Sequence, residues 1–269
     1  MEQDDIEHEL SGGNVAAKVI RLGKTVRKPI TESTSSVEAF LQHLSQSGFL
    51  HSPHSFGRDD AGRYVLEFIE GETITHPELL TLADLQTVAG VIRDLHRAAS
   101  SFPPPRSAVW NVAIQPDREE LICHNDLGAW NLIRSGSGWV FIDWDGSGPA
   151  SRLWDLAYAA QSIVHLAYGG DPAKDAIRLR TFVDAYGLEQ SEREQFPQLL
   201  SRRTRAGYDL LERGALESIE PWARIYKLDN GEYWRKAAEY VREHEAVWAS
   251  ALSSSSHLVY PLTHDERRS

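Results

Sequence analysis

One cysteine, Cys123, in 269 residues leaves no disulfide framework within the chain. No apolar run approaches the roughly 20 residues that a membrane-spanning helix needs. The opening MEQDDIEHEL is acidic and lacks the basic-then-apolar layout of a secretory signal. These absences point to a protein of the reducing cytoplasm with no membrane partner. Basic residues are also in short supply: 28 Lys and Arg against 39 Asp and Glu give a formal net charge of −11. With no basic stripe, nucleic-acid binding is disfavoured. An acidic surface either steers cationic small molecules such as amines or serves solubility alone. No internal repeat is visible. What remains is ordinary globular composition, 41% hydrophobic and 25% charged, in a length that suits one large domain or two small lobes.

The chain is organised around Leu121 to Trp144, LICHNDLGAWNLIRSGSGWVFIDW. Leu121 to Cys123 reads as the end of a buried strand, and a polar loop from His124 to Asn131 follows. Leu132 to Arg134 and Trp139 to Ile142 flank the turn Ser135-Gly136-Ser137-Gly138, which is a β-hairpin pattern. A hairpin folds the chain back on itself, so Asn131 before its first strand lands beside Asp143 after its second. Asp126 lies on the same loop. An amide oxygen and a carboxylate that converge suit Mg²⁺, a hard cation that prefers oxygen ligands. A further carboxylate suits the base that orients an attacking hydroxyl. Asn131 and Asp143 are therefore candidate metal ligands and Asp126 the candidate catalytic base. Cys123 reads as a small buried hydrophobe.

At these residues the chain resembles the aminoglycoside phosphotransferase and choline kinase group, relatives of the protein kinases. The group's pattern is His-Gly-Asp, four residues, Asn, then Ile-Asp-Trp/Phe-Asp/Glu. This chain has His124-Asn125-Asp126, Asn131 and Ile142-Asp143-Trp144-Asp145, so Asn125 stands where glycine is usual. The resemblance implies an α+β, two-lobed protein-kinase-like fold. Residues 1–71 would form a small antiparallel-sheet lobe that binds nucleotide, and residues 72–269 a mainly helical catalytic and substrate-binding lobe. It implies Mg²⁺ and ATP, or GTP, as co-substrate, and transfer of the γ-phosphoryl group to a hydroxylated small molecule by a monomer or homodimer. Aminoglycosides or other antibiotics, sugars and amino alcohols are all acceptors among relatives, and the negative charge favours a cationic one. The rival class is a nucleotide-binding pseudokinase or regulatory module. A protein kinase fits poorly, because no Asp-Phe-Gly or Ala-Pro-Glu segment frames an activation loop.

The same resemblance distributes further roles. Gly12 and Gly13 precede a strand-like run, Val15 to Leu22, and correspond to a loop over the nucleotide. Thr25 to Ile30 reads as the next strand. Arg27 and Lys28 alternate to opposite faces, so one cation points inward to the phosphates; Arg27, two residues before Pro29, is placed like the arginine of the group's Val-x-Arg-x-Pro form. Ser35 to Gln46 reads as a helix in which Glu38 either pairs with that cation or closes a capping box with Ser35. Arg63 to Ile69 resembles the strand leading to the interlobe linker, with the backbones of Glu67 and Ile69 holding adenine, Leu66 behind the ring, and the lobe boundary near Gly71. Thr81 opens a helix carrying Leu85, Val88, Ile92, Leu95 and Ala99 on one stripe, with His96 in a packing or hydrogen-bonding role. Asp155, in Trp154-Asp155-Leu156-Ala157, fits a helix start and a bond to the catalytic loop. Asp145 either meets a second metal through water or holds its loop. Helices are expected over 173–186, from a Ser191–Glu194 cap to Arg213, and over 231–252. Their carboxylates Asp209, Glu212, Glu217, Glu220, Glu239 and Glu243 include candidate substrate ligands.

Overall fold

Short alternating runs broken by glycines and acidic turns build the first layer. In the computed structural model, which describes residues 7–10 and 19–253, β1 (His8–Leu10), β2 (Val19–Leu22) and β3 (Thr25–Lys28) run antiparallel. Gly23, at φ 57°, turns β2 into β3. α1 (Thr34–Gln46) then crosses to β4 (Ser55–Arg58) and β5 (Tyr64–Glu67), and the sheet order is β1-β2-β3-β5-β4. α1 buries Val37, Phe40, Leu41 and Leu44, the stripe its sequence spaces at three and four residues. It begins at Thr34 rather than Ser35, among the hydroxyls of Thr31, Ser33 and Thr34. The Ser35–Glu38 capping box therefore does not form, and Ser35 Oγ accepts from Arg58 instead.

The chain leaves this sheet at Gly71. There β6 (Gly71–Thr73) pairs with β8 (Leu132–Ser135), which pairs in turn with β9 (Gly138–Phe141). A Cβ on Gly71 would lie 2.4 Å from the Arg134 carbonyl oxygen, so only glycine allows this close crossing. Between them lie α2 (Leu82–Ala99), with a Thr81–Asp84 capping box, and β7 (Leu121–Cys123). β10 (Gly148–Ala150) pairs with β7 and so fastens the strand end after the hairpin to the strand before it.

Helices make up the rest: α3 (Arg152–Ile163), α4 (Pro172–Tyr186), α5 (Gln190–Glu217), α6 (Trp222–Ile225), α7 (Gly231–Glu243) and α8 (Glu245–Ser253). α3 runs through the middle, nearly every residue buried. α5 starts one residue before Ser191, where Glu192 accepts from the Glu189 N–H and pairs with Arg152; the Ser191–Glu194 cap is thus replaced. The helix expected over 231–252 breaks at His244, and the bend brings Trp248 Nε1 onto the Val241 carbonyl with its ring fully buried. The architecture is a protein-kinase-like pair of lobes, an antiparallel sheet with one helix followed by a mainly helical remainder. Among the described residues, no helix is long and apolar enough to cross a membrane.

Candidate active site

The polar loop after β7 is held from below by one carboxylate. Asp155, in the first turn of α3 and fully buried, accepts from the backbone N–H of His124 (3.2 Å) and of Asn125 (2.8 Å). His96 Nε2 meets the same carboxylate at 3.1 Å, and its Nδ1 meets the Tyr186 hydroxyl at 2.8 Å. His124 ties the loop to the hairpin. Its Nδ1 accepts the Asp126 N–H, so Nε2 carries the proton and donates to the Ile142 carbonyl.

Asn125 adopts φ 65°, the left-handed geometry that favours glycine. Its side chain offsets the cost by donating to the carbonyls of Gly146 (3.2 Å) and Gly148 (3.1 Å). The departure from the His-Gly-Asp pattern therefore adds two links to the loop after Asp145.

Asp126 is half-buried and both its oxygens are engaged. The Tyr158 hydroxyl donates to Oδ1 at 2.9 Å and the Asn131 amide to Oδ2 at 2.8 Å. Burial pushes its carboxyl above the ordinary range, and Asp143 acts in the same sense. His124, Tyr158 and Asn131 oppose the shift. The Asn131 amide also donates to the Asp126 carbonyl, so its two hydrogens are used and the amide oxygen is the atom left to ligate. The hairpin closes as its sequence requires: the Ile142 N–H donates to the Asn131 carbonyl at 2.8 Å, and Asp143 follows at φ 62°.

The inward cation of β3 is Lys28, not Arg27. Lys28 Nζ lies 2.9 Å from Asp143 and 2.5 Å from Asp145. Burial alone would lower its pKa; the two carboxylates outweigh that and raise it. Arg27, on the opposite face, pairs with Asp59 at 3.2 Å. Alternation left one inward position, and the contacts with Asp143 and Asp145 show that Lys28 takes it. Glu38 pairs with neither cation; the Gln42 amide donates to it at 3.5 Å.

Leu66 is buried at the end of β5. The Glu67 N–H donates to His54 and the Phe68 N–H to Lys24, while the Ile69 N–H meets no protein acceptor among the described residues. Gly12 and Gly13 lie outside the described residues.

Sequence reasoning missed Tyr158 and Arg203. Tyr158 lies three residues after Asp155, hence on the same face of α3, which is a signal that could have found it. Arg203, remote in α5, carried none. His96, Cys123 and Asp155 also converge; there Asp155 bonds His96, and the Cys123 thiol donates to the carbonyls of Ala150 and Ser151 at 3.7 Å. Burial holds the Cys123 thiol well above its ordinary pKa.

Residues 108–199 match the model of the phosphotransferase enzyme family, a span that holds the loop, the hairpin and α3. The trifolitoxin immunity protein of Rhizobium leguminosarum bv. trifolii is 30% identical over 259 residues, covering 91% of this chain and 98% of that protein. The chain belongs to the phosphotransferase enzyme family. Solved structures agree in fold. A choline/ethanolamine kinase family protein from Mesorhizobium loti is 15% identical over 92% of each chain, with a TM-score of 0.62. An amicoumacin kinase in complex with AMP-PNP and Ca²⁺ is 13% identical, over 89% of this chain and 88% of that one, at 0.64. An aminoglycoside 2′-phosphotransferase is 11% identical, over 91% and 93%, at 0.55. As a member of the phosphotransferase enzyme family, the chain is a transferase whose acceptor group is an alcohol.

Proposed function

We propose that this phosphotransferase moves the γ-phosphoryl group of ATP or GTP to a hydroxyl of a small, hydroxylated and cationic molecule in a Mg²⁺-dependent reaction. One observation carries the reading: the hairpin gathers Asp126, Asn131, Asp143 and Lys28, with Asn131 bonded to Asp126 at 2.8 Å, the N–H of Ile142, next to Asp143, bonded to the Asn131 carbonyl at 2.8 Å, and Lys28 Nζ 2.9 Å from Asp143.

Each residue has work that its surroundings suit. Asp126, aimed by Tyr158 and Asn131, orients the acceptor hydroxyl and takes its proton. Lys28 neutralises phosphate oxygens at the cleft, and the backbone of Glu67 and Ile69 holds the base of the nucleotide. The Asn131 amide oxygen and the Asp143 carboxylate are the all-oxygen donor set that a hard divalent cation prefers. When bound, such a cation offsets the charge of the phosphates. Asp145 shares Lys28 with Asp143 and keeps that carboxylate pair together.

The acceptor side is aromatic and acidic. Trp130, 45% exposed, meets Tyr158 edge-on, and Tyr158 lies parallel to Trp234 at 5.8 Å between centroids. Nearby, the Tyr208 hydroxyl donates to Glu212 at 2.6 Å. The exposed Trp130 ring suits an amine or quaternary ammonium. Solved relatives named as choline, aminopropanol and amicoumacin kinases support an amino-alcohol or antibiotic acceptor. A relative named for toxin immunity supports inactivation of an antimicrobial compound as the biological setting.

The test is nucleotide consumption against panels of aminoglycosides, other hydroxylated antibiotics, sugars and amino alcohols, with and without Mg²⁺. Stimulation by one class identifies the acceptor. Stimulation by none, with product absent from extracts supplied with labelled ATP, would sink the reading.

A further inference from the structure

Arg203, on α5, is 2% exposed and lies directly behind the catalytic loop. Its Nη2 donates to the carbonyl of Asn125 at 3.2 Å. The guanidinium carbon sits 4.3 Å from the centroid of Tyr158 and 5.4 Å from that of Trp154. Its Nε and Nη1 are buried without a hydrogen-bond partner, and among the described residues no carboxylate lies within ion-pair distance.

A buried guanidinium without an ion-pair partner is a poor device for stability, since apolar residues of similar volume fill such sites at least as well. Burial works against the charge, and Tyr158, Asp155 and Asp126 favour it. What Arg203 touches suggests what it does. Asn125 immediately precedes Asp126 and is held in left-handed geometry. Tyr158 sets the direction of Asp126 Oδ1.

We propose that Arg203 is a positioning residue for phosphoryl transfer: its guanidinium clamps the Asn125 carbonyl and the Tyr158 ring, and through them fixes Asp126 towards the acceptor hydroxyl. This rests on the reading of Asp126 as base. Arg203 itself touches no reacting atom. The planar fork spans a backbone oxygen and a ring face at once, which the point charge of lysine does less well.

The test uses the full chain and release of inorganic phosphate from Mg·ATP, with water as acceptor, for Arg203→Met, Arg203→Lys, Tyr158→Phe and Asp126→Asn. Arg203→Met is expected to lower kcat about 100-fold, the cost typical of a slightly misplaced group. KM for ATP stays within about twofold, since nucleotide contacts are untouched. Arg203→Lys recovers part of the loss. Tyr158→Phe added to Arg203→Met lowers kcat less than the two single losses multiplied together. A crystal structure of Arg203→Met is expected to show Tyr158 and Asp126 drawn apart beyond about 3.5 Å. Wild-type kcat in Arg203→Met, or an unaltered Tyr158–Asp126 contact, overturns the proposal. If Arg203→Met does not fold, Arg203→Lys decides. A lowered kcat with unchanged KM and melting temperature supports the clamp, and unchanged kcat overturns it. Wild-type turnover in Asp126→Asn would instead defeat the base assignment, so the two failures are distinguishable.

Discussion

The side-chain amide of Asn131 gives both of its hydrogens to Asp126, one to Oδ2 at 2.8 Å and one to the backbone carbonyl at 3.0 Å. The contact makes one unit of the proposed base and the proposed metal ligand. Whatever orients the amide oxygen of Asn131 also orients the carboxylate of Asp126.

The two should therefore be separable only in one direction. Asp126→Ala is expected to lower kcat by about 100- to 10,000-fold, the range for a general base, while Mg·ATP binding measured by calorimetry is retained. Asn131→Ala should lower kcat and weaken Mg²⁺-dependent nucleotide binding together. Full turnover in Asp126→Ala would remove it as base.

Lys28 and Arg27 are neighbours with different surroundings. Lys28→Ala removes the buried cation shared by Asp143 and Asp145 and should reduce kcat/KM for ATP by at least about 100-fold. Arg27→Ala breaks the pair with Asp59 and should leave turnover near wild type at a small stability cost. Steady-state kinetics and urea melts on the two variants check the contrast; a reversed order would return the phosphate role to Arg27.

Asn125 offers a stability test. Its two side-chain hydrogen bonds contribute about 1 kcal/mol each. Left-handed backbone costs a non-glycine residue about 1 kcal/mol. Asn125→Gly loses the bonds and the strain, for a net loss of about 1 kcal/mol, whereas Asn125→Ala loses only the bonds and should cost about 2 kcal/mol or more. Equilibrium denaturation should rank wild type above Gly above Ala.

Asp155 satisfies two loop amides and His96 in a fully buried site. Removing a buried charge from such a network typically costs about 3–5 kcal/mol. Asp155→Ala should show that loss by chemical denaturation, along with slow turnover at temperatures where the variant remains folded.

Alkaline pH should unfold the protein for a stated reason. Tyr64 and Tyr186, chiefly through burial, and Tyr208, chiefly through its bond to Glu212, are pushed up to about 12. Unfolded tyrosine ionises near 10. Between about 10 and 12 the unfolded chain releases protons that the native chain keeps, so stability is full below about 10 and falls as pH rises. Tyrosinate absorbance for these three should emerge together with loss of near-ultraviolet dichroism; ionisation in a still-folded protein would contradict it.

Much of this site was legible in sequence because hairpin geometry is local. Two strand runs and a Gly/Ser turn are enough to carry Asn131 to Asp143, and the observed bond from Ile142 to Asn131 is that closure. The stripes of α1 and α2 followed from helical spacing for the same reason. What was not legible depends on neighbours remote in the chain. Alternation could not choose between Arg27 and Lys28, because the carboxylate that meets Lys28, Asp143, lies 115 residues further along the chain. The start of α1 moved because hydroxyls at 31, 33 and 34 compete with Ser35. Arg203 meets Asn125 across 78 residues, and nothing in its own segment marks it. β1 and β4 are short edge strands whose pairing, more than their composition, makes them strands.

The central claim is metal-dependent phosphoryl transfer to a small hydroxylated acceptor with Asp126 as base. The most direct measurement is consumption of ATP and GTP, with and without Mg²⁺, across panels of aminoglycosides, other hydroxylated antibiotics, sugars and amino alcohols, in wild type and Asp126→Ala. The account predicts that one class, a cationic one, stimulates Mg²⁺-dependent turnover with a phosphate monoester as product, and that Asp126→Ala slows it by at least about 100-fold. Stimulated turnover that stays at the wild-type rate in Asp126→Ala, or that proceeds equally without a divalent cation, would contradict it.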